Sequence, residues 1–330
     1  MHILIIGGGS IGERHLRSFL RHEGVACSLA EPAEARRREL EVAYAIRQSH
    51  ASWEEADFSR IDGAVICAPT DLHVTLLHRL IDAGVDTLCE KPLSTNLKEI
   101  PELLQKVEAS STTTAVAFCF RHHPAIEEMK QRIDSGDLGT IHAAHYYGGQ
   151  YWPEARTQWP PAYAMSRETG GGAIPDHMVH QINILEWLMG PVASVSAFQR
   201  HLSLSDIPTE DFGTTTLRFQ RGSVAVLTLC LFKFDPLTYI QVVGDAGTAA
   251  YDYLEESMQT FTRKAKKWER GAERCPNRDH MFYLQAGHFL RCLRNEATPR
   301  CTVAEAARTL DVVQAALKSS DGNGAFIPVP

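Results

Sequence analysis

The apolar positions of this chain follow two rhythms, and the rhythm changes near Pro124. Before it, short apolar runs alternate with longer stretches of helical period. Residues 2–6, HILII, read as a buried strand, and residues 11–20 as a helix. Strands are expected again at 25–30, 64–68, 85–89 and 113–120, with helices at 33–48, 72–83 and 97–109 between them. Such regular alternation predicts an α/β unit with a parallel sheet covered on both faces. Ligands of such sheets bind beyond the carboxyl ends of the strands.

After Pro124 strands take over. A helix is expected at 125–135, a strand at 141–147, and an irregular stretch at 148–169. A helix over 173–189 starts with Pro175 in its first turn and stops at Gly190-Pro191. Strands at 192–199, 212–219, 224–232, 237–244, 248–253 and 258–262 predict one large, mostly antiparallel, open-faced sheet, joined by 141–147. The Lys/Arg-rich segment 263–274 reads as a solvated loop, followed by helices at 281–295 and 303–319. The expected division is 1–121 for a dinucleotide-binding domain and 122–330 for an α+β domain that binds substrate and holds subunits together.

The first strand ends in Gly7, Gly9 and Gly12, a G-x-G-x-x-G that leads straight into a helix. Gly7 allows the tight turn. Gly9 lets the backbone approach a pyrophosphate, and Gly12 lets helix and strand pack closely. The helix start at Ser10 and Ile11 offers free N–H groups and a partial positive charge to phosphates. The second strand ends in Glu31, at about the spacing of a ribose-binding carboxylate. A carboxylate there favours NAD over NADP. Arg36 to Arg38, close by, are read as a solvated helix face.

Composition narrows the classes. The chain has 330 residues, 44% hydrophobic and 22% charged, with a formal net charge of −7. That fits two globular domains and disfavours nucleic acid as partner. No run is apolar enough to span a membrane, and the start of the chain at a strand leaves no room for a signal peptide. Eight cysteines without a C-x-x-C read as buried free thiols of a cytoplasmic protein.

Five stretches give the chain a family likeness: GGGSIG at 7–12, APTDLH at 68–73, CEKPLS at 89–94, RHHP at 121–124 and GGGAIPDHMVHQIN at 170–183. Together they resemble the Gfo/Idh/MocA oxidoreductases, the group of glucose–fructose oxidoreductase and inositol dehydrogenase. The resemblance implies a Rossmann domain followed by the open-sheet domain. It implies cofactor contacts from the glycine motif, Glu31, Ala68, Pro69, Thr70, His73, Glu90, Lys91 and Arg121. It gives Lys91 a catalytic or substrate-anchoring role, and an ammonium beside a reacting hydroxyl stabilises a developing alkoxide. Asp176 and His180, spaced i, i+4, would share one helix face. The imidazole would take the substrate's proton as hydride leaves, with the carboxylate as substrate contact or orienter. Tyr163 and Asn183 join them as substrate contacts. Asn183 stands where the family often has an aspartate.

Several residues keep two readings. Glu90 anchors its loop or approaches the nicotinamide ribose. His73 touches cofactor or caps the helix after it. Tyr151, Trp152, Trp159 and Tyr163 stack on a sugar or plug a local core. His180 is a base or a satisfied core histidine, and Asp176 a site carboxylate or a cap. Asp176, His177 and His180 lack the further ligands of a metal site, so none is expected. The activity implied is hydride transfer between nicotinamide and a hydroxyl or keto carbon of a sugar, polyol or related carbohydrate. Two rivals stand: a redox-neutral glycosidase or lyase that keeps its NAD, and a non-catalytic sensor of sugar or dinucleotide. A homodimer or homotetramer through the open sheet face is also implied.

Overall fold

The protein is described as a computed structural model over residues 1–155, 159–252, 257–273 and 275–330. Residues 156–158 of the irregular stretch, Tyr253 and Arg274 lie outside the described residues. In chain order the first elements are β1 (His2–Ile6), α1 (Ser10–Leu20), β2 (Ala26–Ala30), α2 (Glu34–Ala43), β3 (Ile46–His50) and β4 (Gly63–Ile66). Then come α3 (His73–Asp82), β5 (Thr87–Cys89), α4 (Ile100–Ala109), β6 (Thr114–Val116), α5 (Pro124–Asp134), β7 (Ile141–Tyr151) and the short α6 (Trp152–Ala155). A wide π-type stretch, Ala173–Met178, leads into α7 (Val179–Met189). β8 (Val192–Arg200), β9 (Phe212–Phe219), β10 (Val224–Cys230), β11 (Phe232–Gly244), β12 (Gly247–Asp252), β13 (Ser257–Thr262) and β14 (Trp268–Glu273) follow. α8 (Arg278–Leu293), α9 (Val303–Asp321) and β15 (Ile327–Pro328) end the chain.

Two compact units result: Met1–His122 with Pro276–Ala307, and His123–Cys275 with Arg308–Pro330. The sequence reading gave everything after 121 to one domain. The chain instead returns 276–307 to the first unit, for a packing reason. Phe289, Leu290 and Ala286 of α8 are buried in one cluster with Ile3 and Ile5 of β1, Leu16 and Phe19 of α1, and Val65 of β4. Each large side chain buried there is worth roughly 1.5–3 kcal/mol.

In the first unit the sheet runs β3-β2-β1-β4-β5-β6, every pair parallel. Two details depart from expectation. The helix expected over 33–48 stops at Ala43, and Ile46–His50 is an edge strand instead. Its polar Arg47 and Gln48 are exposed at the sheet margin, which hides the strand from a reading by apolar runs.

In the second unit a nine-stranded sheet runs β14-β13-β12-β11-β7-β10-β9-β8-β15. It is mixed: β10 pairs β7 in parallel, and the other pairs are antiparallel. Strand alternation puts Ala144, Tyr146, Ala225, Leu227, Val242 and Ala249 inside. The opposite face exposes Tyr147, Phe198, Val224, Val226, Phe261 and Trp268. Trp268 shows that the expected solvated loop 263–274 carries an edge strand, paired to β13.

Candidate active site

The glycine motif meets three different spatial demands. Gly7 has φ +101°, and a Cβ there would lie 2.6 Å from the Cys67 carbonyl oxygen. A Cβ on Gly12 would lie 1.9 Å from Gly7 O. A Cβ on Gly9 would meet nothing within 4 Å. Gly7 and Gly12 are thus required by the fold, whereas Gly9 borders open space at a helix start. α1 begins at Ser10 with no side-chain cap, so the first N–H groups, those of Ser10 and Ile11 among them, are not taken by a capping residue. This cradle fits a pyrophosphate.

Glu31 faces the same loop. Its Oε2 accepts the Gly8 N–H at 2.6 Å and its Oε1 the Ala33 N–H at 2.8 Å. Sequence puts Arg36 on a solvated helix face, but the side chain turns toward the glycine loop. Its Nε donates to Gly8 O at 2.7 Å and its guanidinium pairs with Glu13. Arg37 donates to Glu31 O at 2.7 Å, and Arg38 pairs with Glu34 on the helix surface.

The loop after β4 holds Ala68, Pro69 and Thr70, the last opening a single 3-10 turn into α3. His73, at the head of α3, is 1% exposed. Its Nδ1 lies 2.8 Å from Pro92 O and its Nε2 3.0 Å from Ala68 O. The ring therefore joins two loops rather than capping its helix. Burial pulls the His73 pKa below its usual value, against the two carbonyls and the more distant Glu90 and Asp71. Glu90 is the anchor of its loop: Oε1 sits 2.7 Å from His15 Nε2, and Oε2 accepts the Lys91 N–H at 3.0 Å. Lys91 is half-buried and precedes a cis Lys91–Pro92 bond. His15 drew no notice in the sequence, and its only signal there is a polar residue on the buried side of an amphipathic helix.

Arg121 is a correction. It is 1% exposed, and its guanidinium donates to Arg300 O at 2.5 Å and to Glu305 at 3.0 Å. Through Nη1 it ties the end of β6 to the segment before α9, a structural role that the sequence did not suggest.

In the second unit the D-x-x-x-H motif does not lie on a plain α-helix. The π-type stretch carries Asp176, and α7 carries His180 in its first turn. Wide turns of this kind occur often at functional sites. Asp176 is buried, and its Oδ2 accepts from Tyr163 OH at 3.2 Å. His177 Nε2 stands 3.2 Å from the same oxygen, and its ring meets Trp152 edge-on at 4.7 Å. His177 is thus a neighbour of the site carboxylate that spacing alone did not single out. His180 is half-buried.

Asn183 does not join them. It is fully buried and donates to the Thr309 hydroxyl at 3.0 Å, which itself donates to Glu186 at 2.6 Å. The amide serves packing of α7 on the end of the chain, not a substrate. The aromatic residues divide. Trp152 and Trp159 pack edge-to-face at 5.3 Å as a local core, Trp159 also donating to Asp206. Tyr151 stacks on the exposed Phe234 at 4.3 Å. Of the four, Tyr163 reaches Asp176 and Trp152 packs on its neighbour His177.

Residues 1–118 match the model of an oxidoreductase family with an NAD-binding Rossmann fold, and residues 126–250 match the GFO/IDH/MocA C-terminal domain. The chain belongs to the Gfo/Idh/MocA family. Among curated Gfo/Idh/MocA relatives, scyllo-inositol 2-dehydrogenase (NAD(+)) of Bacillus subtilis is 25% identical, over 96% of this chain and 92% of the relative. Myo-inositol 2-dehydrogenase of Thermotoga maritima is 23% identical, over 79% of this chain and 78% of the relative. A levoglucosan dehydrogenase solved with NADH and levoglucosan superposes with a TM-score of 0.87 at 19% identity, covering 100% of this chain and 99% of that one. That likeness shows the shared fold. The chain is an oxidoreductase of this family with an NAD-binding Rossmann domain. No described helix is long and apolar enough to cross a membrane.

Proposed function

We propose that the protein transfers hydride between NAD(H) and a hydroxyl or keto carbon of a cyclic polyol or sugar. The observation that carries this reading is the retained set Lys91, Asp176 and His180, with Lys91 and Asp176 each held by the contacts above. The named activities of the two inositol dehydrogenases support the substrate class. When bound, the nicotinamide supplies a hydride acceptor. His180 takes the hydroxyl proton as the carbon gives up its hydride. The Lys91 ammonium stabilises the developing alkoxide. Asp176 hydrogen-bonds and orients the substrate, its own position set by Tyr163.

The first unit is the cofactor domain in this reading, through Gly7, Gly9, Ser10, Ile11, Gly12, Glu31, Ala68, Pro69 and Thr70. Glu31 accepts from the adenosine ribose hydroxyls and repels a 2′-phosphate, so NAD is preferred over NADP. The second unit is the substrate domain, and its exposed apolar sheet face joins copies of the chain into a dimer or tetramer. Free thiols at all eight cysteines support a reducing, cytoplasmic setting.

The test is near-ultraviolet absorbance of NADH while the protein meets NAD and a panel of inositols, sugars and glycosides, with products analysed alongside. Accumulating NADH with a polyol or sugar is the expected result. Product without free NADH points to the redox-neutral rival. Tight NAD binding with no product from the panel leaves a substrate outside the panel or a sensor.

A further inference from the structure

We propose that two buried histidines, His73 and His15, are positioning residues that together fix the backbone on either side of Lys91. The inference rests on the reading of Lys91 as the residue that meets the reacting oxygen. On the amino side, the Lys91 N–H is held by Glu90 Oε2 at 3.0 Å. The other oxygen of that carboxylate is held in turn by His15 Nε2 at 2.7 Å. On the carboxyl side, the carbonyl of Pro92 is held by His73 Nδ1 at 2.8 Å. His15 is 0% exposed and His73 1%.

Each ring crosses between elements. His15 sits on α1, the helix that the glycine motif opens, and reaches the loop after β5 through Glu90. His73 heads α3 and, through Ala68 O at 3.0 Å, also touches the loop after β4. The loop that carries Lys91 is therefore fastened to α1, the helix that the cofactor reading uses, and to the head of α3. A displacement of Lys91 by about 1 Å would cost of the order of a hundredfold in rate. That is the reason to anchor such a loop at two backbone points rather than by packing alone.

The choice of residue type points the same way. Burying an imidazole costs free energy unless its nitrogens find partners, and an apolar ring of the same size would not carry that cost. Both nitrogens of His73 face backbone oxygens of the two loops. A neutral ring has one N–H to give. The proposal places it on Nδ1, so that the carbonyl next to Lys91 is held by a donor and Nε2 meets Ala68 O by packing alone.

The test uses His73→Phe, which keeps the bulk without a donor, and His73→Asn, whose amide N–H can stand where Nδ1–H stood. Both are made in the native chain and in Lys91→Met, and kcat, the KM for substrate, NAD affinity and Tm are measured. Expected is a fall of about tenfold or more in kcat for His73→Phe, with NAD affinity within about twofold and much of the rate restored in His73→Asn. In the Lys91→Met background the same change should alter kcat by less than about twofold, because residues acting through one another are non-additive. An equal loss in both backgrounds, or an Asn variant no better than Phe, overturns the proposal. Near-native turnover of Lys91→Met alone refutes the role of Lys91 instead, and the proposal falls with it. Should His73→Phe not fold, His15→Phe against His15→Gln reads the same comparison from the α1 side, with the same two outcomes deciding.

Discussion

In the first unit the functional candidates stand at the carboxyl ends of parallel strands, and mostly backbone groups hold them. Glu31 binds the Gly8 and Ala33 N–H groups, Glu90 binds the Lys91 N–H, and His73 faces two carbonyls. In the second unit the candidates share one helix start, and side chains surround the carboxylate: the Tyr163 hydroxyl donates to Asp176 Oδ2, and His177 Nε2 lies 3.2 Å from the same oxygen. Backbone partners follow from topology and tolerate neighbouring substitutions. Side-chain partners depend on the identity of residues elsewhere in the unit. The first arrangement suits a cofactor common to many reactions, the second a substrate that differs between relatives.

The comparison breaks most directly at the chemistry. Lys91→Ala and His180→Ala should each lower kcat by about a hundredfold or more, the scale of a lost acid–base or electrostatic partner. NAD affinity, measured by fluorescence quenching, should stay within about twofold in both. Near-normal turnover in either variant removes that residue from the reaction.

The next effect is confined to the first unit. Gly9→Ala adds a methyl where nothing lies within 4 Å, so Tm should hold while NAD affinity drops about tenfold or more. Gly12→Ala, with its Cβ 1.9 Å from a backbone oxygen, should lose stability as well. Equal Tm losses for the two would deny Gly9 its place at the cofactor. Glu31→Ala belongs to the same experiment: NAD binding should weaken and the preference over NADP narrow, whereas unchanged NAD affinity takes Glu31 out of the site.

A smaller effect sharpens the side-chain half. Tyr163→Phe removes one hydrogen bond to Asp176, worth about 1 kcal/mol, and should lower kcat/KM about fivefold. No change in kcat/KM would make Tyr163 a packing residue.

The same contrast explains how much could be read beforehand. The glycine motif, Glu31 and the C-E-K-P turn are legible because their partners lie near in sequence or follow from strand order. Arg121 and Asn183 were misread for the opposite reason. Their residue types suit a ligand, but their partners, Arg300 and Thr309, lie 179 and 126 residues away. The π-type turn at Asp176 was equally hidden, since Pro175 and the apolar spacing suit an ordinary helix start. β3 and β14 escaped because edge strands carry polar residues that a reading of apolar runs assigns to helix or loop.

The weakest effect concerns stability, and it tests whether the first unit keeps its polar interior at a cost. His122 is buried beside the His288 ring, at 5.2 Å. Burial pulls its pKa well below the usual 6.5, and Arg300, His288, Arg121 and Arg291 add to the shift. Above pH 6.5 the imidazole is neutral in folded and unfolded chains alike, so it adds no pH dependence there. Below that pH the unfolded chain takes up a proton that the folded protein refuses. The unfolded state then binds more protons, and stability falls as pH falls, by up to about 1.4 kcal/mol per pH unit for this one group. The loss continues until the lowered folded pKa is reached. Thermal melts between pH 7.5 and 5 should show a falling Tm, and His122→Gln, which does not titrate, should flatten the decline without abolishing it. His2, His22 and His73, whose pKa values burial also lowers, contribute in the same direction. An unaltered pH slope in His122→Gln would mean that its ring is charged in the folded protein, which would require a carboxylate partner in place of the arginines that surround it.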